Sequence, residues 1–149
     1  MRVGEFCNRD VVIVDKDAQV LEAAQLMRSH HVGDLVVIEE RAGKRIPVGI
    51  ITDRDIVIEV VAKNITLDAV SIGDVMSFEL TTVSEDDDIF DTVKLMRTRG
   101  IRRVPVVDKQ GALVGILAID DLLGLLEEFV GDVTGVIVRE QAREQKVRP

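Results

Sequence analysis

Apolar positions in the first half of the chain follow two patterns. Three short apolar runs, at residues 11–14, 35–38 and 48–51, are typical of buried strands, although the third contains a glycine. Between the first two runs, apolar residues recur at i, i+3, i+4 and i+7, which marks one face of a helix. They are Val20, Ala23, Ala24 and Met27. A helix start follows the third run, so this half predicts the order β-α-β-β-α.

The second half of the chain repeats the first. The Val-Gly-Ile strand at positions 48–50 returns at 114–116, so the offset in residue number is 66 (115 minus 49). Upstream of these strands the offset is 69 (73 minus 4), which pairs Gly4 with Gly73. The second helix face comprises Ile89, Thr92, Val93 and Met96. An internal duplication therefore organises the chain.

The two offsets differ by three, and the difference falls between the last two strands of each half. Residues 39–47 form the predicted turn in the first half, and 108–111 form a shorter one in the second. We expect an α+β fold with one β-α-β-β-α repeat at residues 3–63 and another at 64–126. A repeat of about 65 residues buries too little surface to be stable alone. The two repeats should therefore pack about a pseudo-twofold axis and share a core.

A C-terminal extension, residues 127–149, follows the repeats. From the end of the second repeat onward, apolar residues recur at about the period of a helix. They are Leu122, Leu126, Phe129, Val133, Val136 and Ile137. The pattern predicts an amphipathic helix whose apolar face needs a partner, with a bend near Gly131 as one alternative and a polar, solvent-exposed tail over 139–146. This face is one reason to expect a homodimer.

The helix start after the third strand is the main candidate for chemistry. Thr52 stands where an N-cap belongs and Asp55 follows three positions later. One interpretation is a capping box, in which the two side chains satisfy the first turn of the helix. In the other, the helix start faces an anion, Asp55 accepts hydrogen bonds from the hydroxyls of a ribose, and Thr52 contacts a phosphate. The pattern alone leaves both open.

Composition and charge narrow the range of partners. The 149 residues are 46% hydrophobic and 31% charged, with a net charge of −8 and 3% aromatic residues. A strongly acidic chain without stacking aromatics does not favour nucleic acid, and no apolar run is long enough to span a bilayer. The one cysteine, Cys7, excludes an internal disulfide. We expect a cytoplasmic protein that binds a small molecule or another protein.

Other chemistry is weakly supported. His30 and His31 lack a Cys or His partner at the spacing of a metal site and are interpreted as surface residues. The acidic residues at 86–88 are expected to stabilise a helix start rather than bind a metal ion. No nucleophile, base and oxyanion donor converge in the sequence, so we expect neither an enzyme nor a catalytic cofactor.

These features together resemble tandem cystathionine-β-synthase (CBS) domains, the paired regulatory unit called a Bateman module. The resemblance covers about residues 3–126. It rests on the duplicated Ala/Thr-x-x-Leu-Met helix, the Val-Pro-Val-Val strand at 104–107 and Gly-Ile-Ile-Thr-Asp-Arg-Asp at 49–55. It implies clefts between the repeats that bind AMP, ADP or ATP, and in some members S-adenosylmethionine. It also implies a regulatory role and pairing of two modules into a flat four-repeat dimer.

The resemblance assigns ligand roles to two helix starts. In the first repeat its Ser/Thr-x-x-Asp motif falls on Thr52 and Asp55, with Asp55 as the ribose ligand. In the second repeat Asp121 keeps the ribose position, but Ala118 replaces the hydroxyl residue. One phosphate contact is therefore missing from the second motif.

The resemblance also places residues at the start of the strands. A basic pair before the middle strand is present as Arg102 and Arg103 in the second repeat, whereas the first has glycine and an aspartate at 33 and 34. The arginines are expected to hold phosphate, the alternative being a solvated charge pair. Backbone near Val12 and Thr81 would meet the adenine edge. The implied function is a sensor that acts on a separate effector protein, and the alternative is a dimerising scaffold with vestigial pockets.

Overall fold

The computed structural model describes residues 1–148, which leaves only the last residue of the expected 127–149 extension outside the described part. The first repeat forms a three-stranded sheet in the order β1-β2-β3. Its strands are β1 (Ile13–Asp15), β2 (Asp34–Arg41) and β3 (Lys44–Thr52). β1 runs parallel to β2, and β2 runs antiparallel to β3. This sheet carries the helix start singled out from the sequence.

The second repeat forms a separate sheet with the same order. Its strands are β4 (Val83–Ser84), β5 (Arg103–Val107) and β6 (Leu113–Ala118). The helices are α1 (Val20–His30), α2 (Asp53–Ile56), α3 (Ile72–Val75), α4 (Ile89–Arg99) and α5 (Ile119–Val147). β4 runs parallel to β5, as β1 does to β2. The predicted α+β architecture of two repeats is confirmed.

The predicted helix faces are buried except at Ala24 and Val93, which are partly buried. Val20, Ala23 and Met27 are buried on α1, and Ile89, Thr92 and Met96 are buried at the equivalent positions of α4. Both helices end on a residue in the left-handed region, with φ of 54° at His31 and 66° at Gly100. Since 100 minus 31 is again 69, the duplication extends to the backbone conformation of the helix ends.

The opening segment of the first repeat packs against the second repeat. The Gly4 N–H donates to the Glu85 carbonyl at 2.9 Å. Further along, Asn8 and Ile116 exchange two backbone hydrogen bonds, each of 2.9 Å. The segment from 3 to 8 thus extends the second sheet beyond its three strands.

The opening segment of the second repeat, residues 71–77, packs against the first repeat in the same way. The Gly73 N–H donates to the Lys16 carbonyl at 2.8 Å, and the Ser77 N–H donates to the Ile50 carbonyl at 3.0 Å. These contacts repeat those of the N-terminal segment at the two offsets of the duplication, 69 (85 minus 16) and 66 (116 minus 50). The two repeats therefore exchange equivalent segments about a pseudo-twofold axis, which makes each repeat dependent on the other.

A glycine in the third strand of each sheet, β3 or β6, permits this exchange. A Cβ atom on Gly49 would lie 2.6 Å from the Met76 sulfur, and one on Gly115 would lie 2.7 Å from the Cys7 sulfur. Both distances are too short for van der Waals contact. The glycine shared by the two strand motifs is thus explained by the close approach of the exchanged segment.

The turn predicted over residues 39–47 is much shorter in the structure. β2 extends to Arg41 and β3 begins at Lys44, so only Ala42 and Gly43 connect the two strands. Their φ angles are 51° and 76°. Positive φ at both positions is characteristic of a two-residue type I′ hairpin. The extra length of the first repeat therefore extends a β-hairpin. Polar side chains obscured these strand ends in the sequence pattern.

The backbone contacts divide the chain into two units, residues 1–117 and 118–149. The second unit consists mainly of α5, a single unbroken helix from Ile119 to Val147. It passes through Gly131 without interruption, which agrees with the prediction of one amphipathic helix. The polar tail is helical as well, because a helix already propagated through the apolar stretch needs no new nucleus to continue.

Candidate functional site

The helix start at the end of β3 has the geometry of a capping box. The Thr52 Oγ1 accepts the Asp55 N–H at 3.0 Å, and the Asp55 Oδ2 accepts the Thr52 N–H at 2.9 Å. Both residues are partly buried. The capping interpretation is therefore correct. The Asp55 carboxylate has further acceptor capacity beyond the cap, because a carboxylate offers about four lone-pair sites. The box fixes the rotamers of both side chains.

An irregular helix follows this start. α2 contains only Asp53–Ile56 and gives way to a π-helical turn, Val57–Val61, in which the Ala62 N–H donates to the Val57 carbonyl at 2.8 Å. Single π turns are frequent at functional sites. This turn was not predicted from the sequence, although the run of β-branched residues after position 55 is an unfavourable composition for an ordinary helix.

The starts of the two middle strands meet across the repeats. β2 begins at Asp34 and β5 begins at Arg103, and the Arg103 Nε lies 3.5 Å from the Asp34 Oδ1. The Asp34 side chain is 13% exposed and the Arg103 side chain 43% exposed. The guanidinium expected to hold phosphate therefore has a carboxylate counterion within the protein, a relationship that no sequence pattern indicated. Arg102 precedes it and is exposed.

A second carboxylate acts on Asp34. Burial of its carboxyl group raises the pKa of Asp34 above the ordinary value, the Arg103 guanidinium opposes that rise, and the nearby Asp53 carboxylate adds to it. Asp53 lies against the strand start: its N–H donates to the Gly33 carbonyl at 2.9 Å. A Cβ on Gly33 would lie 3.1 Å from the Asp53 Oδ2. The region between the repeats thus combines closely spaced carboxylates with a guanidinium.

The two backbone positions assigned to an adenine edge precede the first strand of each repeat. Val12 lies directly before β1, and its carbonyl accepts the Val36 N–H at 3.2 Å. Thr81 lies just before β4 and is partly buried. Since 81 minus 12 is 69, the two positions are equivalent in the duplication.

The second helix start, in the unit formed by residues 118–149, lacks half of the box. The Asp121 Oδ2 accepts the Ala118 N–H at 3.2 Å, which reproduces the bond made by Asp55. Ala118 has no hydroxyl oxygen to accept the Asp121 N–H, as Thr52 accepts the Asp55 N–H. The structure therefore keeps the carboxylate orientation at this start and lacks the hydroxyl acceptor.

Metal-binding and membrane-spanning features are both missing from the described part of the chain. Within residues 1–148 no three His, Cys, Asp or Glu side chains cluster in a way that could hold a metal ion. In the same range, none of the helices combines the length and the apolar character needed to cross a bilayer.

The family of the chain follows from comparison with known proteins. The CBS domain model matches residues 3–62 and again residues 72–128. The chain belongs to the CBS domain family. CBS domain pairs are generally regulatory rather than catalytic, and the tandem match agrees with the two repeats of the structure.

Curated relatives and solved structures agree with this assignment. An uncharacterized protein of Methanopyrus kandleri is 43% identical over 121 residues, which cover 81% of this chain and 60% of that protein. This chain thus spans less than two thirds of that relative. A CBS domain protein of Pyrobaculum aerophilum complexed with AMP is 32% identical, with a TM-score of 0.71, over 82% of this chain and 90% of that one.

A further solved structure contains other adenosine compounds. The CBS domain pair of protein MJ0100, in complex with 5′-methylthioadenosine and S-adenosyl-L-methionine, is 26% identical with a TM-score of 0.72. The match covers 86% of this chain and 97% of that chain. CBS pairs similar to this one therefore bind small adenosine ligands of more than one kind.

Proposed function

We propose that this CBS pair is a ligand-sensing regulatory module that binds an adenosine nucleotide, AMP, ADP or ATP, between its repeats and signals to a separate effector protein. The observation that carries the proposal is the reciprocal hydrogen bonding of Thr52 and Asp55 at the end of β3. It presents a fixed carboxylate for ribose hydroxyls beside a helix start that favours an anion. The AMP complex of the P. aerophilum relative supports the ligand class.

The remaining ligand contacts follow from the same arrangement. Arg102 and Arg103 supply positive charge for phosphate on an otherwise acidic chain, and backbone near Val12 and Thr81 receives the adenine edge. Asp121 is the ribose ligand of a second, weaker site, because Ala118 cannot contribute the hydroxyl that Thr52 does. We expect one site to dominate binding.

Charge also constrains the choice of ligand. The Asp34 carboxylate forms an ion pair with the Arg103 guanidinium, so a phosphate group must compete with that carboxylate for the arginine. A ligand whose adenosine carries a cationic substituent, such as S-adenosylmethionine, would avoid this competition, and the MJ0100 complex supports it as the alternative ligand. The two ligand types differ in the sign of the group that approaches Asp34.

The second candidate function is a dimerising scaffold with vestigial pockets. The observations that favour it are the internal Arg103–Asp34 ion pair and the missing hydroxyl at Ala118, since each removes a phosphate contact. In either case we propose a homodimer acting in trans. The cytoplasmic location expected from the sequence stays a prediction.

One experiment separates the two candidates. Small molecules released from the natively purified protein are identified by mass spectrometry, and AMP, ADP, ATP and S-adenosylmethionine are then titrated by calorimetry. A sensor gives saturable binding of at least one adenosine compound with micromolar affinity, about −8 kcal/mol. Absence of binding by all four, in a protein that remains folded, would favour the scaffold.

A further inference from the structure

The Asp34 carboxylate lies in surroundings that oppose its charge. Its side chain is 13% exposed. Burial is the main reason that the pKa of Asp34 lies above the ordinary value; the Arg103 guanidinium opposes this rise and the Asp53 carboxylate adds to it. The ion pair with Arg103, at 3.5 Å, is also longer than a charge-assisted hydrogen bond of about 2.8 Å. A carboxylate retained in such a place is typical of a functional site.

The register of the first sheet sets Asp34 beside the capping box. Asp34 and Thr52 are partners in the antiparallel pairing of β2 with β3. Side chains of directly opposed residues share one face of a sheet, with their Cβ atoms about 4.5 to 5.5 Å apart. The Thr52 hydroxyl belongs to the box that it forms with Asp55. The Asp34 carboxylate therefore lies next to the hydroxyl proposed to contact a phosphate.

Charged groups on two other elements face Asp34. β5 contributes the Arg103 guanidinium, and α2 contributes the Asp53 carboxylate. Asp53 is held against the start of β2, because its N–H donates to the Gly33 carbonyl at 2.9 Å. The guanidinium thus interacts with a point where two carboxylates already lie close together. An anionic group that approached Arg103 here would meet both negative charges.

We propose that Asp34 determines the charge selectivity of the ligand site: its carboxylate competes with an anionic 5′ group of the ligand for Arg103, and protonation of Asp34 ends that competition. The proposal rests on the proposed function, since it requires an adenosine compound bound at Thr52 and Asp55. With Asp34 ionised, adenosine compounds with a neutral or cationic 5′ group are favoured. With Asp34 neutral, the site gains affinity for a 5′ phosphate.

Binding of an anionic ligand is thereby linked to proton uptake. The anion brings a negative charge close to Asp34 and engages the guanidinium that otherwise favours its ionised form. Both changes raise the pKa of Asp34 in the complex above its value in the protein without ligand. Since the protonated form binds the anion more tightly, affinity for an anionic ligand must increase as the pH falls. Affinity for adenosine itself has no such dependence on Asp34.

The selectivity is tested in the full chain with Asp34→Asn, which keeps the shape of the side chain and removes its charge. Calorimetry near neutral pH measures the binding of AMP and of adenosine to the parent and the variant. Asp34→Asn should lower the dissociation constant of AMP by about tenfold or more and change that of adenosine much less. Asp68→Asn removes the same charge from an exposed turn and should alter neither.

The role of Arg103 is tested by combining substitutions. In an Arg103→Gln background the guanidinium is absent, so Asp34→Asn should improve AMP binding by a smaller factor than it does in the parent. An equal improvement in the two backgrounds would mean that Asp34 does not act through Arg103 and would overturn the proposed competition.

The proton linkage is tested with adenosine 5′-sulfate. A phosphate ester has a second pKa of about 6 and changes its own charge in the relevant range, whereas a sulfate ester keeps one negative charge. The parent should bind this compound more tightly as the pH is lowered from about 7.5 to about 5, and Asp34→Asn should show little change. Calorimetry in buffers of different ionisation enthalpy should detect proton uptake by the parent and less by the variant.

The outcomes separate this proposal from the proposed function. If both proteins bind adenosine and show the same preference for AMP over adenosine, the ligand site stands and the role of Asp34 is overturned. If neither protein binds adenosine, AMP or the sulfate ester, the site itself is overturned and this proposal with it. Thermal unfolding checks that Asp34→Asn is folded. The proton count on the parent needs no substitution, and binding of the sulfate ester without proton uptake would overturn the proposal by itself.

Discussion

Arg103 and Asp34 hold equivalent positions in the two repeats, because 103 minus 34 is 69, and their side chains form an ion pair with Nε and Oδ1 3.5 Å apart. Equivalent residues can contact each other only close to the pseudo-twofold axis. The pair therefore marks the axis. It also places a largely buried carboxylate where unopposed positive charge was expected from the sequence.

The first prediction concerns the pH dependence contributed by Asp34. Its pKa in the folded protein lies above the ordinary value, chiefly because of burial, so the folded state binds the proton more readily than the unfolded state. The resulting stabilisation is complete below the unfolded pKa of about 3.8 and is lost as the pH rises through the folded pKa. Asp34→Asn removes this titration.

The stability of Asp34→Asn relative to the parent should therefore increase between about pH 4 and about pH 7. Urea unfolding of both proteins across this range measures the difference. Asp68→Asn, which removes one carboxylate from an exposed turn, is the matched control. A parent that gains stability over Asp34→Asn as the pH rises would mean that Arg103 outweighs burial.

The duplication made most of the fold accessible from the sequence. Periodic apolar positions such as Val20 and Met27 report burial on one face, and they did so correctly in both repeats. The offset between repeats then fixed the equivalence of the elements. The Thr52 and Asp55 box was visible for the same reason, since local hydrogen bonding depends on sequence separations of a few residues.

Two features depended on contacts between distant parts of the chain. The exchange of segments 3–8 and 71–77 brings together residues that are far apart in sequence, which no local pattern records. The Asp34–Arg103 pair is of the same type. In contrast, the unbroken course of α5 through Gly131 was underestimated, because a glycine penalty of about 1 kcal/mol is small beside the remaining helix propensity.

The second prediction concerns the ends of α1 and α4. His31 adopts φ 54°, where Gly100 stands at the equivalent end with φ 66°. His31→Gly should raise the free energy of unfolding by about 0.5 to 1 kcal/mol, since a Cβ is disfavoured in the left-handed region. Chemical denaturation measures the change. His30→Gly, one residue earlier in the helix, should instead lower stability by about 1 kcal/mol, and a similar response of both variants would contradict the explanation.

The third prediction tests the proposed ribose ligand. Asp55→Asn keeps an oxygen that can accept the Thr52 N–H but removes the charge, so the cap should survive while adenosine binding weakens by about tenfold or more. Calorimetry measures binding, and thermal unfolding measures the cap.

Asp74→Asn is the matched control for this substitution. Asp74 accepts the Ser71 N–H at 2.9 Å in the same type of box at the start of α3, where no ligand is proposed. It should leave binding unchanged. If Asp55→Asn binds adenosine compounds as the parent does, the box has a structural role alone.

The last prediction concerns phosphate recognition by Arg102 and Arg103. If they hold phosphate, AMP binds more tightly than adenosine, and the difference shrinks with added salt. Replacing both with glutamine should remove the preference, at about 1.5 to 3 kcal/mol for each charged hydrogen bond lost, while weak adenosine binding persists. Arg97→Gln with Arg99→Gln, which makes the same charge change at the end of α4, should preserve it. Retention of the AMP preference by the Arg102 and Arg103 variant would place the phosphate at the Thr52 helix start instead.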